Sequence, residues 1–599
     1  MQNLRSWARF RSDSSGLVML FFLAWLPRCI GLIGFSNVDE TGILKSAVRV
    51  LAGEIIPSGY IYTHFYVYAN AAVLVPLYAI GRGIGVWHGT DDFRAQYFSD
   101  PTPFFFAVRL VSACLGALCA PLAASIANRL GLAQRLSLIV GGIVAVWPIS
   151  VRFSHIAKPD IGSAFAILLL VWSILRKIDN PKSKWANVTV GVVLAIALSF
   201  KQTNLLVAAP VFVGLMAVSK WNDEQSWLEI VRGLLIASGV CVLLLIPVNL
   251  GLVLDLENFL HQQRFAGTTQ WRQGTAYEIA RVLVLMLAGN LTGITAAGVI
   301  AWLAGPFVRQ DRRFLVLWGS SVIGLVGFAA VSGTRIAEYR LPPFEVLAVT
   351  LGCIAALSLC ERKRFSRLVG LSLVIAIVAC TLAGSFEVVR QSAAAPMASR
   401  VAKAIKTIVR PDRDKILAAN GSIFGLPVSA AAEDEEWQRH ERLAKKYGTK
   451  LPERAEEKRS RQGDTGGGYF VRSFPMVIGG MEDFDQKAQE KLILPFSWPL
   501  QDEEWELDYW TARGFNIFVV LSEEYFLNST VRLYRSLHEQ IKERCELVDR
   551  IPTARPLFFE SEVTIYRFRD QHDEPRSSPE WPPPPQGRRS GLRGSASSL

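Results

Sequence analysis

The stretch "FYVYANAAVLVPLYAIGRGIGVW", residues 65–87, is apolar over the length of a membrane span, and whether it crosses decides how the rest of the chain is threaded. The connections between the other apolar runs fall into two kinds. "NRLGLAQR" (128–135), "RKIDNPKSK" (176–184), "VRQDRR" (308–313) and "ERKRFSR" (361–367) are basic. "FSNVDETG" (35–42), "RFSHIAKPD" (152–160), "ENFLHQQRFAGTTQWRQG" (257–274) and "SGTRIAEYRLPP" (332–343) mix acids with His and aromatics. Lys and Arg concentrate in cytoplasmic loops, which assigns the first group there together with the N-terminus and its Arg5, Arg9 and Arg11. These assignments agree with one another only if 65–87 does not cross. It is then a juxtamembrane or re-entrant segment on the outer side. Counted as a crossing, it would send "RKIDNPKSK" and "ERKRFSR" outside.

The remaining apolar runs are expected to span near 16–34, 103–127, 136–151, 161–177, 185–200, 204–220, 229–254, 278–304, 313–331, 341–360 and 366–387. The expected fold is therefore an α-helical polytopic membrane protein of about eleven transmembrane helices plus an outer juxtamembrane segment. A chain of 599 residues that is 51% hydrophobic, with positive mean hydropathy, agrees with this. The first run, "GLVMLFFLAWLPRCIGLIGF", lacks a small-residue cleavage site and carries Pro27 and Arg28, so it reads as a retained helix. The net charge of +12 sits in short loops and the tail, where topology explains it without nucleic acid. Seven of the eight cysteines lie in or beside apolar runs and no CxxC spacing occurs, which argues against a disulfide framework.

The polar part begins near residue 388. "DKILAANGS", "GFNIFVVLS" and "ESEVTIYRF" read as strands, and "STVRLYRSLHEQIKERCELV" has helical spacing. The expected division is a transmembrane domain over 1–387 and an extracytoplasmic α/β domain over 388–570. Within the latter, 433–468 is a charged insertion, helical or disordered. Residues 571–599 form a disordered Pro/Gly/Ser-rich tail.

The mixed loops all face one side under this threading, so their polar residues can converge. Asp39 and Glu40 precede "ILKSAVRVLAG", where helix capping explains them as well as catalysis does. His155 and Asp160 bracket Lys158 in "RFSHIAKPD". Lys201 sits in the polar break of "SFKQTNLL", either snorkelling to the interface or holding a phosphate. His261, Arg264, Trp271 and Arg272, and then Arg335, Glu338, Tyr339 and Arg340, join cations to aromatics. That suits an anionic carbohydrate ligand or an interfacial belt. Taken together, several cations and two or three acids at headgroup level suit a lipid phosphate carrying hydroxyl groups.

The order of these features resembles the GT-C glycosyltransferases: an acidic pair after the first span, "RFSHIAKPD", a Lys at a span junction, a late "YRLPP" and a C-terminal α/β domain. It is most similar to the branch of protein O-mannosyltransferases and bacterial lipid-A and lipopolysaccharide-core sugar transferases, which includes aminoarabinose- and galacturonic-acid transferases. The resemblance covers residues 16–390 well and the C-terminal part loosely. It implies a hexosyl or pentosyl transferase of the bacterial inner membrane, with its N-terminus cytoplasmic and its C-terminal domain periplasmic. A polyprenyl-phosphate sugar would be the donor. A lipid, glycan or protein would be the acceptor.

By position, the resemblance makes Asp39, Glu40 and Asp160 the catalytic acids. It assigns Lys201, Arg340, Arg264, His155 and Tyr339 to donor phosphate and sugar. A divalent metal, if one is used, would fall to Asp39 and Asp160, although the first loop reads "DE" rather than DxD. No MIR-like repeat is present. A lipid phosphate leaves readily, so cations on the departing charge and one carboxylate base suffice, with inversion at the sugar. The alternatives are a multi-span transporter or lipid-carrier flippase, which would place ionisable groups along a pathway within the spans, and a receptor or scaffold.

Overall fold

The computed structural model describes residues 2–33, 38–56, 64–221, 226–260, 276–280, 296–331, 342–418, 426–447, 468–473, 502–521 and 532–569, apart from a few single positions within those ranges. The first part is helical: α1 (Gln2–Cys29), α2 (Val38–Leu51), α3 (His64–Gly83), α4 (Thr90–Ser99), α5 (Thr102–Arg129), α6 (Gln134–Ala145), α7 (Pro148–Ser154), α8 (Pro159–Asp179), α9 (Ala186–Phe200), α10 (Leu205–Trp221), α11 (Trp227–Val248), α12 (Ala296–Val308), α13 (Arg312–Val331), α14 (Pro342–Cys360) and α15 (Arg364–Ala393). Among the described residues, six helices are long and apolar enough to cross a membrane, or seven if the bent pair α6–α7 is one span. The bend of 52° has a local cause. Pro148 has no N–H to give the preceding turn, and it holds Trp147 extended at φ −65°, ψ 119°.

The basic loops and the first two mixed loops gather at opposite ends of the bundle, and most of 257–274 and 332–343 lies outside the described residues. At one end Asp179 pairs with Arg129 and with Arg313 (2.7 Å). There Arg309 donates to the Leu130 carbonyl and to Ser358 Oγ, and Arg362 donates to the Val308 carbonyl. At the other end the Ile30 carbonyl meets His155 Nε2 (2.7 Å) and accepts from Ser392 Oγ (3.0 Å). Glu40 accepts from the Ala157 amide at 2.6 Å.

The decisive stretch, 65–87, lies mostly in α3, which is one of those six helices and the least apolar of them. Its beginning and its end both meet residues at the mixed-loop end. Tyr66 lies 6.1 Å from the ring of Phe200, beside Lys201. Past its last turn, Trp87 packs edge-on against Phe93, which stacks in turn on Phe104 in the first turn of α5. The face of Val67, Ala71 and Leu74 is buried against Phe104, Phe105, Val108 and Ala157. Helix α4, at ten residues, reaches only about 15 Å, half the thickness of the hydrocarbon.

Helix α8 lies at the centre, buried along almost its whole length against α5, α9, α10 and α14. Two close approaches shape the mixed end. A Cβ on Gly116 would meet Ser154 Oγ at 2.1 Å, so only glycine lets α7 lie on α5 there. A Cβ on Gly162 would meet the ring of Phe200 at 2.2 Å, so α8 and α9 converge where Asp160 and Lys201 stand.

Past α15, helix α16 (Met397–Ile408) leads into a five-stranded mixed sheet of order β2-β1-β3-β5-β4. Its strands are β1 (Lys415–Ala418), β2 (Phe470–Ser473), β3 (Phe515–Leu521), β4 (Cys545–Ile551) and β5 (Val563–Phe568). β1 pairs parallel with β2 and β3, and the remaining pairs are antiparallel. The three expected strands are β1, β3 and β5. The expected helix 529–548 is helical only over Arg532–Arg544 (α18, after α17 at Ala430–Tyr447) and turns into β4 at Cys545, where Cys545 and Ile551 face the core and the residues between are wetter. Helical spacing had carried the reading past the point where pairing with β5 takes over. The charged insertion is helix α17 as far as Tyr447, and 448–467 lies outside the described residues.

Candidate active site

The first mixed loop is tied to the second through one acid. Arg109, on α5, forks onto Glu40, on α2, with Nε to Oε1 at 2.9 Å and an Nη to Oε2 at 2.7 Å. Its remaining Nη donates to the Leu32 carbonyl at 2.9 Å. Glu40 is fully buried, and its Oε1 also accepts the Ala157 amide. One carboxylate thus fastens the end of α1, the start of α2, α5 and the turn between α7 and α8.

The second acid sits at the N-terminus of α8. Asp160 is fully buried in the first turn, where the helix dipole favours a negative charge. Its Oδ1 accepts from Lys201 Nζ at 2.5 Å, across the α8–α9 approach that Gly162 allows, and its Oδ2 accepts no hydrogen bond. Lys201 itself ends α9 in extended backbone, so its stem emerges from the break between two helices. Nearby on α3, the buried Tyr66 hydroxyl meets Ser112 Oγ at 3.0 Å. The structure therefore brings Glu40, Asp160, Lys201 and Tyr66 into one buried polar cluster at the mixed-loop end.

His155 lies in the turn after α7, with Nδ1 2.7 Å from the Val151 carbonyl and Nε2 2.7 Å from the Ile30 carbonyl. Burial draws its pKa down to about 4, against the pull of two carbonyls that would both accept from a protonated ring. A neutral ring donates to only one of them. Asp39 is the second residue of α2, and its side chain lies outside the described residues. So do Arg264, Tyr339 and Arg340. Asp160, one of the two acids matched to a divalent metal, holds the Lys201 ammonium on Oδ1, and its Oδ2 accepts no hydrogen bond among the described residues. Among the described residues no three His, Cys, Asp or Glu converge.

Sequence reasoning passed over three residues here. Arg109 stands alone in "FFFAVRLVSACLG", and a lone Arg inside an apolar run is itself a signal. Tyr66 was hidden in a stretch read only for hydropathy. Arg555 comes from the C-terminal part, for which no site was expected. The turn Pro556–Phe558 packs on the mixed loops: Phe558 is buried against Val151, Ile156 and Val388, edge-on to His155 at 5.9 Å. The Leu557 amide donates to Gln391 Oε1 at 2.9 Å. Close by, Glu560 Oε1 accepts the Met397 amide, and Glu560 Oε2 is buried without a hydrogen bond.

Burial pushes the pKa of Glu560 up to about 7, with Arg555 beside it pulling the other way. A carboxyl raised from 4.5 in the folded state stabilises the fold fully below pH 4.5 and loses that contribution as pH rises to about 7. Melting temperature is therefore expected to fall between pH 5 and 8, on the order of 1–3 kcal/mol in stability. Glu560→Gln should flatten that fall. An unchanged pH profile in the variant would refute it.

The comparisons with known proteins bear on this region. Residues 52–263, about a third of the chain and including His155, Asp160 and Lys201, match the family model described as dolichyl-phosphate-mannose-protein mannosyltransferase. Solved structures similar to this chain are found as well. ArnT from Cupriavidus metallidurans in the apo state is 12% identical, with 92% of this chain and 98% of that one covered and a TM-score of 0.47. The same enzyme bound to undecaprenyl phosphate is 12% identical, covering 95% and 99%, with a TM-score of 0.45. The Archaeoglobus fulgidus oligosaccharyltransferase with zinc and sulfate is 11% identical, covering 68% of this chain, with a TM-score of 0.41. The chain spans 60% of the length of that archaeal enzyme. No curated protein sequence matches.

Proposed function

We propose that this protein is an integral-membrane glycosyltransferase that moves a sugar from a polyprenyl-phosphate donor to an acceptor hydroxyl, inverting the anomeric centre. The observation that carries the reading is the buried Asp160–Lys201 pair, joined with Glu40 in one cluster at the end where the mixed loops meet. The family-model match over 52–263 supports the donor class. In this reading eleven helices cross, α3 lies against the outer face, and the basic-loop end is cytoplasmic. The N-terminus is then inside, and 388–570 forms an extracytoplasmic domain on the bacterial inner membrane. Parity supports the placement of α3. The chain leaves the mixed end at Ile30 and starts α5 from the same end, and α4 is too short to supply a return crossing.

The acceptor oxygen attacks the anomeric carbon as the bond to the phosphate oxygen breaks. That electron pair stays on the carrier phosphate, where Lys201 and Arg340 stabilise it. Asp39 takes the acceptor proton. Asp160 holds Lys201 in place, His155 braces the second loop, and Arg264 and Tyr339 contribute to the donor site.

The test uses the full chain in nanodiscs with a panel of radiolabelled polyprenyl-phosphate monosaccharides, scoring sugar released to water or to a crude membrane extract. Turnover of one donor is expected. Neither binding nor turnover across the panel would sink the reading in favour of a transporter. Lys201→Ala is expected to lower kcat/KM about 10²-fold, the scale of one lost donor to a developing anion. Asp160→Asn should act through the same ammonium, so the double variant should be little worse than either single one. Fully additive losses would show that the two act separately.

A further inference from the structure

Arg555 is a buried cation without a firm counter-charge. Its side chain is 2% exposed, and among the described residues its buried Nε makes no hydrogen bond. The nearest carboxylate oxygen, Glu560 Oε1, is 3.8 Å from Nε, too far for a hydrogen bond, and is already taken by the Met397 amide. What holds Arg555 is packing. Its guanidinium lies 4.5 Å from the centroid of Phe558, and Phe558 is clamped against His155, Val151, Ile156 and Val388. His155 and Ile156 belong to the turn whose Ala157 amide binds Glu40. The Glu40–Arg109 pair lies within electrostatic range of Arg555. Burying a guanidinium with its Nε donor unfilled and its nearest carboxylate beyond hydrogen-bond range is unfavourable, so the arrangement favours an anion supplied from outside the chain.

We infer that Arg555, delivered by the C-terminal part to the rim of the Glu40–Asp160 cluster, binds a phosphate oxygen of the ligand. Phosphate suits the site because a guanidinium fork presents parallel donors to it, and the neighbouring Glu40 charge is already neutralised by Arg109. The phosphate is that of the carrier lipid or of an anionic acceptor. The first source rests on the transferase reading above. The C-terminal part then completes the ligand site rather than merely following the last span.

The experiment measures binding, without turnover, on the full chain in nanodiscs. The probes are undecaprenyl phosphate, undecaprenol and inorganic phosphate, each titrated against wild type, Arg555→Gln and Arg555→Lys. Expected is an affinity for undecaprenyl phosphate about 10–100-fold weaker in Arg555→Gln, with Arg555→Lys between and undecaprenol unaffected. Weakening of inorganic phosphate alone would support the site and assign it to the acceptor. Equal affinities for both phosphates in wild type and Arg555→Gln would overturn the inference, as would a wild type that binds neither. If Arg555→Gln does not fold, phenylglyoxal labelling of wild-type Arg555, read by mass spectrometry, decides. Protection by either phosphate supports the inference, and labelling unaffected by both overturns it. Loss of the transferase reading would appear separately, as absence of donor turnover in the radiolabel assay.

Discussion

Arg109→Ala is expected to destabilise the protein by about 3–5 kcal/mol, the usual effect of removing one partner from a buried ion pair. The reason lies in what would be left behind. Glu40 would remain fully buried without the guanidinium that forks onto both its oxygens, keeping the Ala157 amide, and the Leu32 carbonyl would lose its guanidinium. The start of α2 would lose its tie to α5 and to the end of α1, while the Ile30–His155 contact still joins α1 to the turn after α7. A large fall in melting temperature in detergent or nanodiscs is the readout, together with faster proteolysis between α1 and α3. Replacing both residues by apolar ones of similar volume, Glu40→Met with Arg109→Met, should recover much of the loss, because the desolvation of two charges is then avoided. Arg109→Ala melting within about 2 °C of wild type would show that the pair does not hold these loops together.

The helical character of the first part and the separation of its basic loops from the described mixed loops were legible in the sequence because membrane helices announce themselves by length and hydropathy, and loops sort by their Lys and Arg. The two ends of the bundle, with Asp179 among arginines at one and Glu40, His155, Asp160 and Lys201 at the other, follow that sorting. The stretch 65–87 was harder. Its hydropathy is that of a weak span, and only charge bookkeeping around it argued otherwise. What remained hidden depends on long-range partners that no periodicity records. Glu40 and Arg109 are 69 residues apart, and Phe558 reaches a turn some four hundred residues upstream. The break at Pro148 was missed for a simpler reason: apolar content was counted across it, although a proline there predicts a bend. The strand β4 was lost because amphipathic helical spacing in 532–544 runs without a stop signal into residues that pair with β5.

Asp39→Asn is expected to lower donor turnover about 10²–10⁴-fold, the worth of a general base, while carrier-phosphate binding stays within about threefold of wild type. Of the three acids matched to catalysis, two are engaged elsewhere. Glu40 accepts from a guanidinium and a backbone amide, which leaves its lone pairs poorly placed to take an acceptor proton. Asp160 faces an ammonium at 2.5 Å and does its work through Lys201. Asp39 precedes Glu40 on α2, about 100° around the helix axis, so the Arg109 lock on Glu40 fixes the backbone from which Asp39 departs. In the proposed mechanism the pair divides the labour: the second acid anchors the helix and the first is the base. Glu40→Gln is the contrasting variant. It should lower the melting temperature, whereas Asp39→Asn should leave it unchanged and remove turnover. An Asp39→Asn protein that turns over donor within tenfold of wild type would return the base to the mixed loops that follow α11 and α13.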